Sequence, residues 1–293
     1  MKNQKKAIIL GLFVVMFWAT VATAFKIALA ETGVIQLLTV SSLTAAIICL
    51  FELIRTGKLK SIKVFYGKRE LLFAALGGLL NPFLYYLVLF KAYSLLPAQI
   101  AQPLNYSWQI VLILFMALFF KQKIRGVQFI GLFVSFAGII MLSLNSNASA
   151  EGSLSTLGIF LALGSAFIWA SYWILKMKET SDPVASLFMN FLFGSLYLIV
   201  LMIITGVELP NLKAILASVY VGTFEMGLTF IFWIKALNLA TNRVALTQIT
   251  YLSPALSLIL IVLVLGEPFT LLTVLGLASI TAGIIISTYQ KKS

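Results

Sequence analysis

The sequence predicts an all-α membrane protein in which ten transmembrane helices form a 5+5 inverted-topology repeat around a central cavity. Three observations support this prediction: an apolar composition, ten apolar stretches of membrane-spanning length, and a resemblance between the two halves of the chain. Of the 293 residues, 61% are hydrophobic and 10% are charged, and the mean hydropathy is +1.06. Soluble domains are about 45–50% apolar and about 25% charged. This chain therefore has too few polar residues to cover a water-facing globule.

The ten apolar stretches each approach the roughly 20 residues that a helix needs to cross a bilayer. We expect helices because an apolar segment in lipid must satisfy its own backbone hydrogen bonds, and because the alternating segments of a membrane barrel are absent. The first stretch is too long for a cleaved signal peptide and lacks an A-x-A site. The predicted spans, numbered one to ten in chain order, are 7–25, 33–53, 71–91, 97–120, 126–144, 156–176, 184–205, 213–236, 243–265 and 268–288.

Basic residues are distributed unevenly between the two sides of these spans. With the N-terminus placed in the cytoplasm, 18 of the 21 Lys and Arg residues fall in cytoplasmic segments, and only Lys26, Lys91 and Lys213 fall elsewhere. The positive-inside rule then predicts that both termini are cytoplasmic and that the loop 145–153 faces outward, in a bacterial inner membrane. The net charge of +12 is therefore an orientation signal, and nucleic acid is not an expected partner.

The two halves of the chain resemble each other at an offset of 144 to 145 residues. The segment LGGLLNPFLYYLVLFKAYSLL (76–96) aligns with YVGTFEMGLTFIFWIKALNLA (220–240), and GLFVSFAGII (131–140) aligns with GLASITAGII (276–285). Because each copy holds an odd number of spans, the second copy enters the membrane upside down. Inverted repeats of this kind build many secondary transporters. The predicted repeats are residues 1–145 and 153–293.

Polar and aromatic side chains recur at helical spacing along spans three, four, six, eight and nine. Residues three and four apart share one helix face, and polar groups that face hydrocarbon are costly. One stripe alone could serve helix–helix contact, whereas several that converge at mid-membrane favour a water-filled cavity. Aromatic rings in such a cavity offer surfaces for a ring or an ammonium group. From these stripes we expect the substrate-binding residues to include Tyr85, Tyr86, Gln102, Tyr106, Trp169, Trp233 and Tyr251.

Small residues and prolines mark spans with a different role. Pro82, Pro103 and Pro254 lie inside predicted spans, where each removes one backbone hydrogen bond and can kink its helix. The sequence leaves open whether such a kink is a hinge or is static. Spans five and ten carry small residues at close spacing, which is typical of helices that pack tightly. These residues are Gly131, Ser135, Gly138, Ser279 and Gly283.

Glu225 lies about halfway along span eight, in the apolar run GTFEMGLTFIFWIKAL, and no other carboxylate lies near the middle of a span. An ionised side chain at this depth costs roughly 2.5–3.5 kcal/mol on insertion scales. No Lys or Arg lies at the same depth, so we expect a protonated carboxyl or a water-filled cavity. Either fits proton coupling or contact with a substrate ammonium; a protonated Glu that bonds a neighbouring helix is the structural alternative. The repeat aligns Glu225 with Asn81, and this pair is the predicted proton-coupling site.

Three short patterns connect the chain to a known family. W-A-[ST] occurs in spans one and six, G-x6-G occurs in spans five and ten, and L-G-E (265–267) precedes span ten. With the ten spans and the repeat, these patterns resemble the drug/metabolite transporter superfamily, in its EamA branch. The resemblance covers essentially the whole chain, and it implies a transporter that, as in most members, exports metabolites.

Aromatic motifs extend the resemblance to one group of proteins within this family. N-P-F-L-Y-Y (81–86), N-Y-S-W (105–108) and Trp169 are similar to the aromatic-lined cavity of aromatic amino-acid exporters in this family. Two features depart from those exporters: F-E-M-G in span eight and Q-x-x-Q-P (99–103) in span four. The resemblance implies a cavity lined by Tyr85, Tyr86, Tyr106, Trp108 and Trp169.

Together these features predict a secondary active transporter, a proton-coupled exporter of amino acids or related small metabolites that works by alternating access. A passive facilitator or channel of the same fold, and a polytopic membrane enzyme, are the alternatives. The chain has no histidine and a single cysteine, Cys49, so we expect no metal, no cofactor and no catalytic residue. Because no G-x4-G-K-[ST] pattern occurs, ATP-driven pumping is not expected. The expected partners are a small-molecule substrate, the lipid bilayer and protons.

Overall fold

The computed structural model describes residues 2–121, 126–143, 154–241, 246, 249–267 and 270–288. These residues form helices joined by short connections, and no strand occurs among them. In this part of the chain, seven helices are long and apolar enough to cross a membrane, and three shorter helices are also apolar. In chain order they are α1 (Gln4–Glu31), α2 (Val34–Arg55), α3 (Lys68–Leu95), α4 (Ala98–Phe120), α5 (Gly126–Ser143), α6 (Thr156–Lys176), α7 (Pro183–Thr205), α8 (Leu212–Leu239), α9 (Leu252–Leu265) and α10 (Leu271–Thr288).

The helices confirm the prediction of an all-helical membrane protein, and most of their bounds agree with the predicted spans within a few residues. One clear difference is α1, which continues to Glu31 although its predicted span ended at residue 25. Hydropathy locates the apolar core of a helix, whereas the helix itself can extend past that core into the headgroup region. The predicted start of span nine, at residue 243, includes residues 243–245 and 247–248, which lie outside the described part of the chain.

Large apolar side chains cover the outside of the bundle. Ile47 is 66% exposed, Phe133 is 77% exposed and Ile204 is 76% exposed. Many other large apolar side chains of these helices are also exposed, which is rare on monomers in water. This apolar exterior is the surface that a lipid-embedded helix presents, because hydrocarbon has no hydrogen bonds to offer. The chain is therefore an integral membrane protein.

Polar side chains cap the starts of four helices. Asn3, Ser155 and Asn211 each accept a hydrogen bond from a backbone N–H in the first turn of the following helix. Asp182 accepts two such bonds at the start of α7, where Pro183 occupies the first helical position. These are the residue types that satisfy the free N–H groups of a helix start, and proline suits the first turn because it has no N–H to lose.

The helices α3 and α8 each break in their interiors, and each of these breaks holds residues of the predicted site. The regular hydrogen bonds of α3 give way to a wider turn over Leu79–Leu84, where Pro82 lacks a backbone N–H. The same change occurs in α8 over Gly222–Gly227, where no proline is present. There the Thr229 hydroxyl donates a hydrogen bond to the Phe224 carbonyl five residues earlier. The sequence predicted the break at Pro82 and missed the break in α8.

The helices α5 and α10 pack face to face through small residues, as their sequences predicted. A Cβ placed on Gly138 would lie 2.6 Å from the Gly276 carbonyl oxygen, and a Cβ on Gly283 would lie 2.4 Å from the Gly131 carbonyl oxygen. Ser135 lies at the same contact and donates its hydroxyl hydrogen to the Ile280 carbonyl oxygen at 3.2 Å. Small residues thus let the two backbones approach more closely than any larger side chain would permit.

Ion pairs cluster at one end of the bundle. The Glu52 carboxylate, at the end of α2, contacts Arg55 at 2.8 Å and Lys235 of α8 at 2.6 Å. In the connections beside it, Lys58 contacts Asp182 at 2.8 Å. Burial disfavours the charged form of Asp182, yet the Lys58 ammonium and the N–H groups of the first turn of α7 outweigh burial and hold the pKa of Asp182 below its usual value.

Candidate substrate cavity

A cavity of about 400 Å³ lies between α1, α3, α4, α6 and α8, beside the short 3₁₀ turn Ile249–Tyr251 that precedes α9. Its volume falls within the roughly 300–1,000 Å³ that small-molecule sites occupy. The polar side chains in its wall belong to Gln102, Asn105, Gln109, Glu225 and Thr250. The aromatic side chains in its wall belong to Trp18, Phe25, Tyr85, Tyr93, Tyr106, Trp108, Trp169, Trp173, Phe230 and Trp233.

A chain of hydrogen bonds fixes the polar part of the wall. The Tyr85 hydroxyl donates to Asn105 Oδ1 at 3.2 Å, and Asn105 Nδ2 donates to Ser165 Oγ at 2.8 Å. Ser165 in turn donates to the Ala162 carbonyl oxygen at 2.6 Å. This chain joins α3, α4 and α6 at one depth. It holds the Tyr85 ring and the Asn105 amide in place, so that both form a fixed surface of the cavity.

Trp169 is the centre of the aromatic wall. Its ring stacks on Tyr85 with centroids 4.5 Å apart, and it contacts Trp108 at 6.4 Å, Trp173 at 5.9 Å and Phe230 at 5.8 Å. These four contacts are stacked, tilted or edge-to-face, and aromatic rings prefer such offset or edge-on geometries. The Trp169 ring therefore connects the aromatic side chains of α3, α4, α6 and α8 in the cavity wall. A separate pair of rings lies on α1 and α8.

That second pair consists of Trp18 and Trp233, whose centroids are 5.9 Å apart. At the end of α3, Phe25 contacts Phe90 at 4.6 Å and Tyr93 at 5.3 Å. Both Phe25 and Tyr93 belong to the cavity wall. The cavity is thus bounded by aromatic rings both on its α1–α8 side and towards the end of α3.

Glu225 lies on the break in α8, with its side chain in the cavity wall and 8% of its surface exposed. The Tyr86 hydroxyl donates a hydrogen bond to Glu225 Oε1 at 3.0 Å. The other carboxylate oxygen, Oε2, has no hydrogen-bond partner among the described residues. Buried polar atoms are normally paired, and each exception requires an explanation. An unpaired carboxylate oxygen at a cavity wall is a position that a proton, a water molecule or a ligand donor can fill.

Glu267, in the L-G-E pattern after α9, links the end of that helix to another helix. Its carboxylate accepts hydrogen bonds from the backbone N–H groups of Ala98, at 3.1 Å, and Gln99, at 3.3 Å. These groups begin α4, where unpaired N–H groups and the helix dipole favour a negative charge. The contact ties the end of α9 to the start of α4, a link that the sequence did not predict.

Most of the sequence-predicted site residues lie together around this cavity. Tyr86 is not in the wall itself but bonds Glu225 from behind it. Tyr251 ends the 3₁₀ turn before α9, and its side chain lies outside what the structure describes. The predicted residues found in the wall are Tyr85, Gln102, Tyr106, Trp108, Trp169, Glu225 and Trp233.

Asn81 differs from its predicted partner Glu225. It is fully buried in the break of α3, and neither of its side-chain polar atoms has a hydrogen-bond partner among the described residues. It is not in the wall of the cavity that Glu225 lines. The prediction that Asn81 and Glu225 share one site therefore gains no support from the cavity and stays a prediction.

Several wall residues were missing from the predicted set. Trp18 could have been found from the repeat, because the FWAT pattern at 17–20 aligns Trp18 with Trp169. Trp173 lies four residues after Trp169, on the same helix face. Phe25, Tyr93 and Phe230 carry no such signal, since apolar aromatic residues are common throughout a membrane protein. Only the packing of the helices identifies them as wall residues.

Comparison with known proteins agrees with this fold. The model of the EamA-like transporter family matches residues 5–144 and 156–289. An "uncharacterized transporter" of Clostridium kluyveri is 28% identical over an alignment of 300 positions, which covers 99% of this chain and 95% of that protein. The "uncharacterized transporter YvbV" of Bacillus subtilis is 27% identical over 228 residues, covering 74% of this chain and 71% of that protein.

A solved structure also has a similar fold. Its title is "Crystal structure of protein", its TM-score is 0.70, and the alignment covers 98% of both chains at 19% sequence identity. Identity at this level supports the fold alone. The family match, in contrast, extends over nearly the whole chain, and the relatives are named as transporters rather than enzymes. The chain therefore belongs to the EamA-like transporter family.

Proposed function

We propose that this membrane transporter is a secondary active carrier, a proton-coupled exporter of amino acids or related small metabolites that works by alternating access. The observation behind this proposal is the aromatic cavity with Glu225 in its wall and one carboxylate oxygen unpaired. The aromatic rings supply binding surface for a small organic molecule, and Glu225 supplies a group that can gain and lose a proton. The predicted substrate-binding residues Tyr85, Gln102, Tyr106, Trp108, Trp169 and Trp233 belong to this cavity in the proposal.

The proposed architecture is a 5+5 inverted repeat, with residues 1–145 and 153–293 as its two copies. Support comes from the two ranges that the family model matches, 5–144 and 156–289. The interior breaks of α3 and α8 provide further support, because they occupy positions that the 144-residue offset aligns. Related sequences thus break their helices at related places.

Reciprocal contacts between the halves also support the repeat. In the α5–α10 contact, Gly138 lies against Gly276, and Gly283 lies against Gly131. At the 145-residue offset, Gly283 is the counterpart of Gly138 and Gly276 is the counterpart of Gly131, so the two contacts are equivalent under the repeat. A second reciprocal pair of contacts joins α3 to α7 and α8 to α2. A Cβ on Gly78 would lie 2.6 Å from the Asn190 carbonyl oxygen. A Cβ on Gly222, the repeat counterpart of Gly78, would lie 2.4 Å from the Ser41 carbonyl oxygen.

For orientation, we propose that both termini are cytoplasmic, in a bacterial inner membrane. Arg55, Lys58 and Lys235 were predicted to be cytoplasmic, and they meet acidic residues at the same end of the bundle. Cysteine labelling tests this orientation in a variant without the buried Cys49. A membrane-impermeant maleimide applied to intact cells should label Glu208→Cys and leave Lys60→Cys unlabelled until the cells are permeabilised. Labelling in the reverse order would contradict the proposed topology.

Counterflow tests the carrier mechanism itself. Proteoliposomes preloaded with unlabelled compound should transiently accumulate the same labelled compound above its external concentration, because a carrier exchanges substrate across the membrane faster than its net gradient decays. We would use phenylalanine, tyrosine and tryptophan, together with their decarboxylated amines, as probes. A channel equilibrates the label without an overshoot, and an enzyme converts it. Equilibration without overshoot for a transported probe would contradict the carrier proposal.

A further inference from the structure

We propose that the cavity selects a small organic cation, an amine with an aromatic or apolar body and no carboxylate. This inference narrows the proposed function, and it rests on that function only in taking the cavity as the transport site. Amino acids carry both an ammonium and a carboxylate at neutral pH, whereas the cavity offers charge of one sign. Among its described wall residues one is acidic, Glu225, and none is basic.

Glu225 has a free acceptor oxygen and no counter-charge among the described residues. Its Oε1 accepts the Tyr86 hydroxyl, and its Oε2 lacks a partner among the described residues. The ion pairs of the described chain involve Glu52, Asp182, Glu179 and Glu31, and none of them involves Glu225. A buried carboxylate without a counter-charge is stabilised by a bound cation more than by any neutral ligand. An ammonium group satisfies both the charge and the free acceptor oxygen.

Aromatic rings line the same cavity as Glu225. Trp18 and Trp233 lie in the wall on α1 and α8, and Glu225 also belongs to α8. Trp169 and Tyr85 provide stacked rings on the α3 and α6 side. Indole and phenol faces attract cations, and the attraction grows when water is excluded. The wall thus favours both the charge of an amine and a flat body attached to it.

For a substrate carboxylate the described wall offers neutral donors, such as the unpaired Trp173 Nε1–H, but no cation. The Asn105 amide already donates to Ser165 and accepts from Tyr85. The Tyr106 hydroxyl donates to Ser253 Oγ at 3.2 Å. No described Lys or Arg in the wall could balance a second negative charge, and Glu225 itself would repel it. A zwitterionic amino acid therefore gains the ammonium contact but also brings an unbalanced carboxylate into a low-dielectric site.

Binding of four compounds with the same phenyl ring separates the contribution of the ammonium group from that of the carboxylate. They are 2-phenylethylamine, phenylalaninamide, phenylalanine and 2-phenylethanol, titrated calorimetrically into the purified full-length protein. We expect the two compounds with an ammonium and no carboxylate to bind at least about tenfold more tightly than phenylalanine, since truncating or opposing a buried charge contact typically costs this much or more. Phenylalanine binding as tightly as the amines, or no binding by either amine at millimolar concentration, would overturn the inference.

The variant Glu225→Gln tests whether the carboxylate is responsible. It should weaken 2-phenylethylamine binding at least about tenfold and leave 2-phenylethanol binding within about twofold. Glu208→Gln, which removes an exposed carboxylate outside the cavity, serves as the matched control and should bind all four compounds as the parent does. Unchanged amine binding in folded Glu225→Gln would overturn the inference. Amine binding that depends on Glu225 but gives no counterflow would instead contradict the transport proposal and leave the inference intact.

Discussion

Replacing Trp169 by alanine should reduce transport by more than about tenfold at equal amounts of folded protein. The indole contacts the rings of Tyr85, Trp108, Trp173 and Phe230, and it is itself part of the cavity wall. Central aromatic residues in desolvated sites often contribute 2 kcal/mol or more, about thirtyfold in affinity. The loss should appear as reduced binding and flux of the same probes that show counterflow in the parent protein.

Stability must be separated from function in this variant, because removing a buried tryptophan can cost about 3–5 kcal/mol. Phe167→Ala is the matched control, since Phe167 lies two residues earlier on α6 with 51% of its surface exposed, and it should retain parental transport. Trp169→Phe keeps a ring against Tyr85 and should retain part of the activity. Parental flux in a folded Trp169→Ala variant would contradict a substrate role for this ring.

The sequence predicts the helices well because membrane insertion imposes a strong local constraint. A span needs about 20 apolar residues in a row, and this requirement can be read without knowing any tertiary contact. The packing of α5 on α10 was predictable for a related reason, since close approach requires small residues such as Gly138 and Gly283. Polar stripes identified part of the wall, because a polar group in lipid needs a partner or water.

Tertiary contacts explain what the sequence could not predict. The Tyr86–Glu225 hydrogen bond joins residues 139 positions apart, and the Glu267 contacts to the start of α4 join residues 168 and 169 positions apart. Neither leaves a local pattern. The repeat relates Asn81 to Glu225 by sequence, but of these two residues only Glu225 lines the described cavity, so a shared site for the pair stays a prediction.

The variant Glu225→Gln should fold like the parent, since a glutamine carbonyl can still accept the Tyr86 hydroxyl. The other titratable side chains in the described cavity wall are tyrosines, so the variant loses the wall's only carboxyl group within that part of the chain. Transport driven by a pH gradient should therefore fall by at least about tenfold. Exchange at saturating substrate should persist, because exchange does not require a proton to bind and leave.

One paired measurement shows whether Glu225 links transport through the aromatic cavity to proton movement, as we propose. Parent, Glu225→Gln and Glu208→Gln proteins are reconstituted in equal amounts, and uptake of a counterflow-positive probe is measured with and without an imposed pH gradient. We expect the gradient to stimulate the parent and Glu208→Gln but not Glu225→Gln, while saturating exchange is similar in all three. Stimulation of Glu225→Gln to the parental level would contradict proton coupling through Glu225.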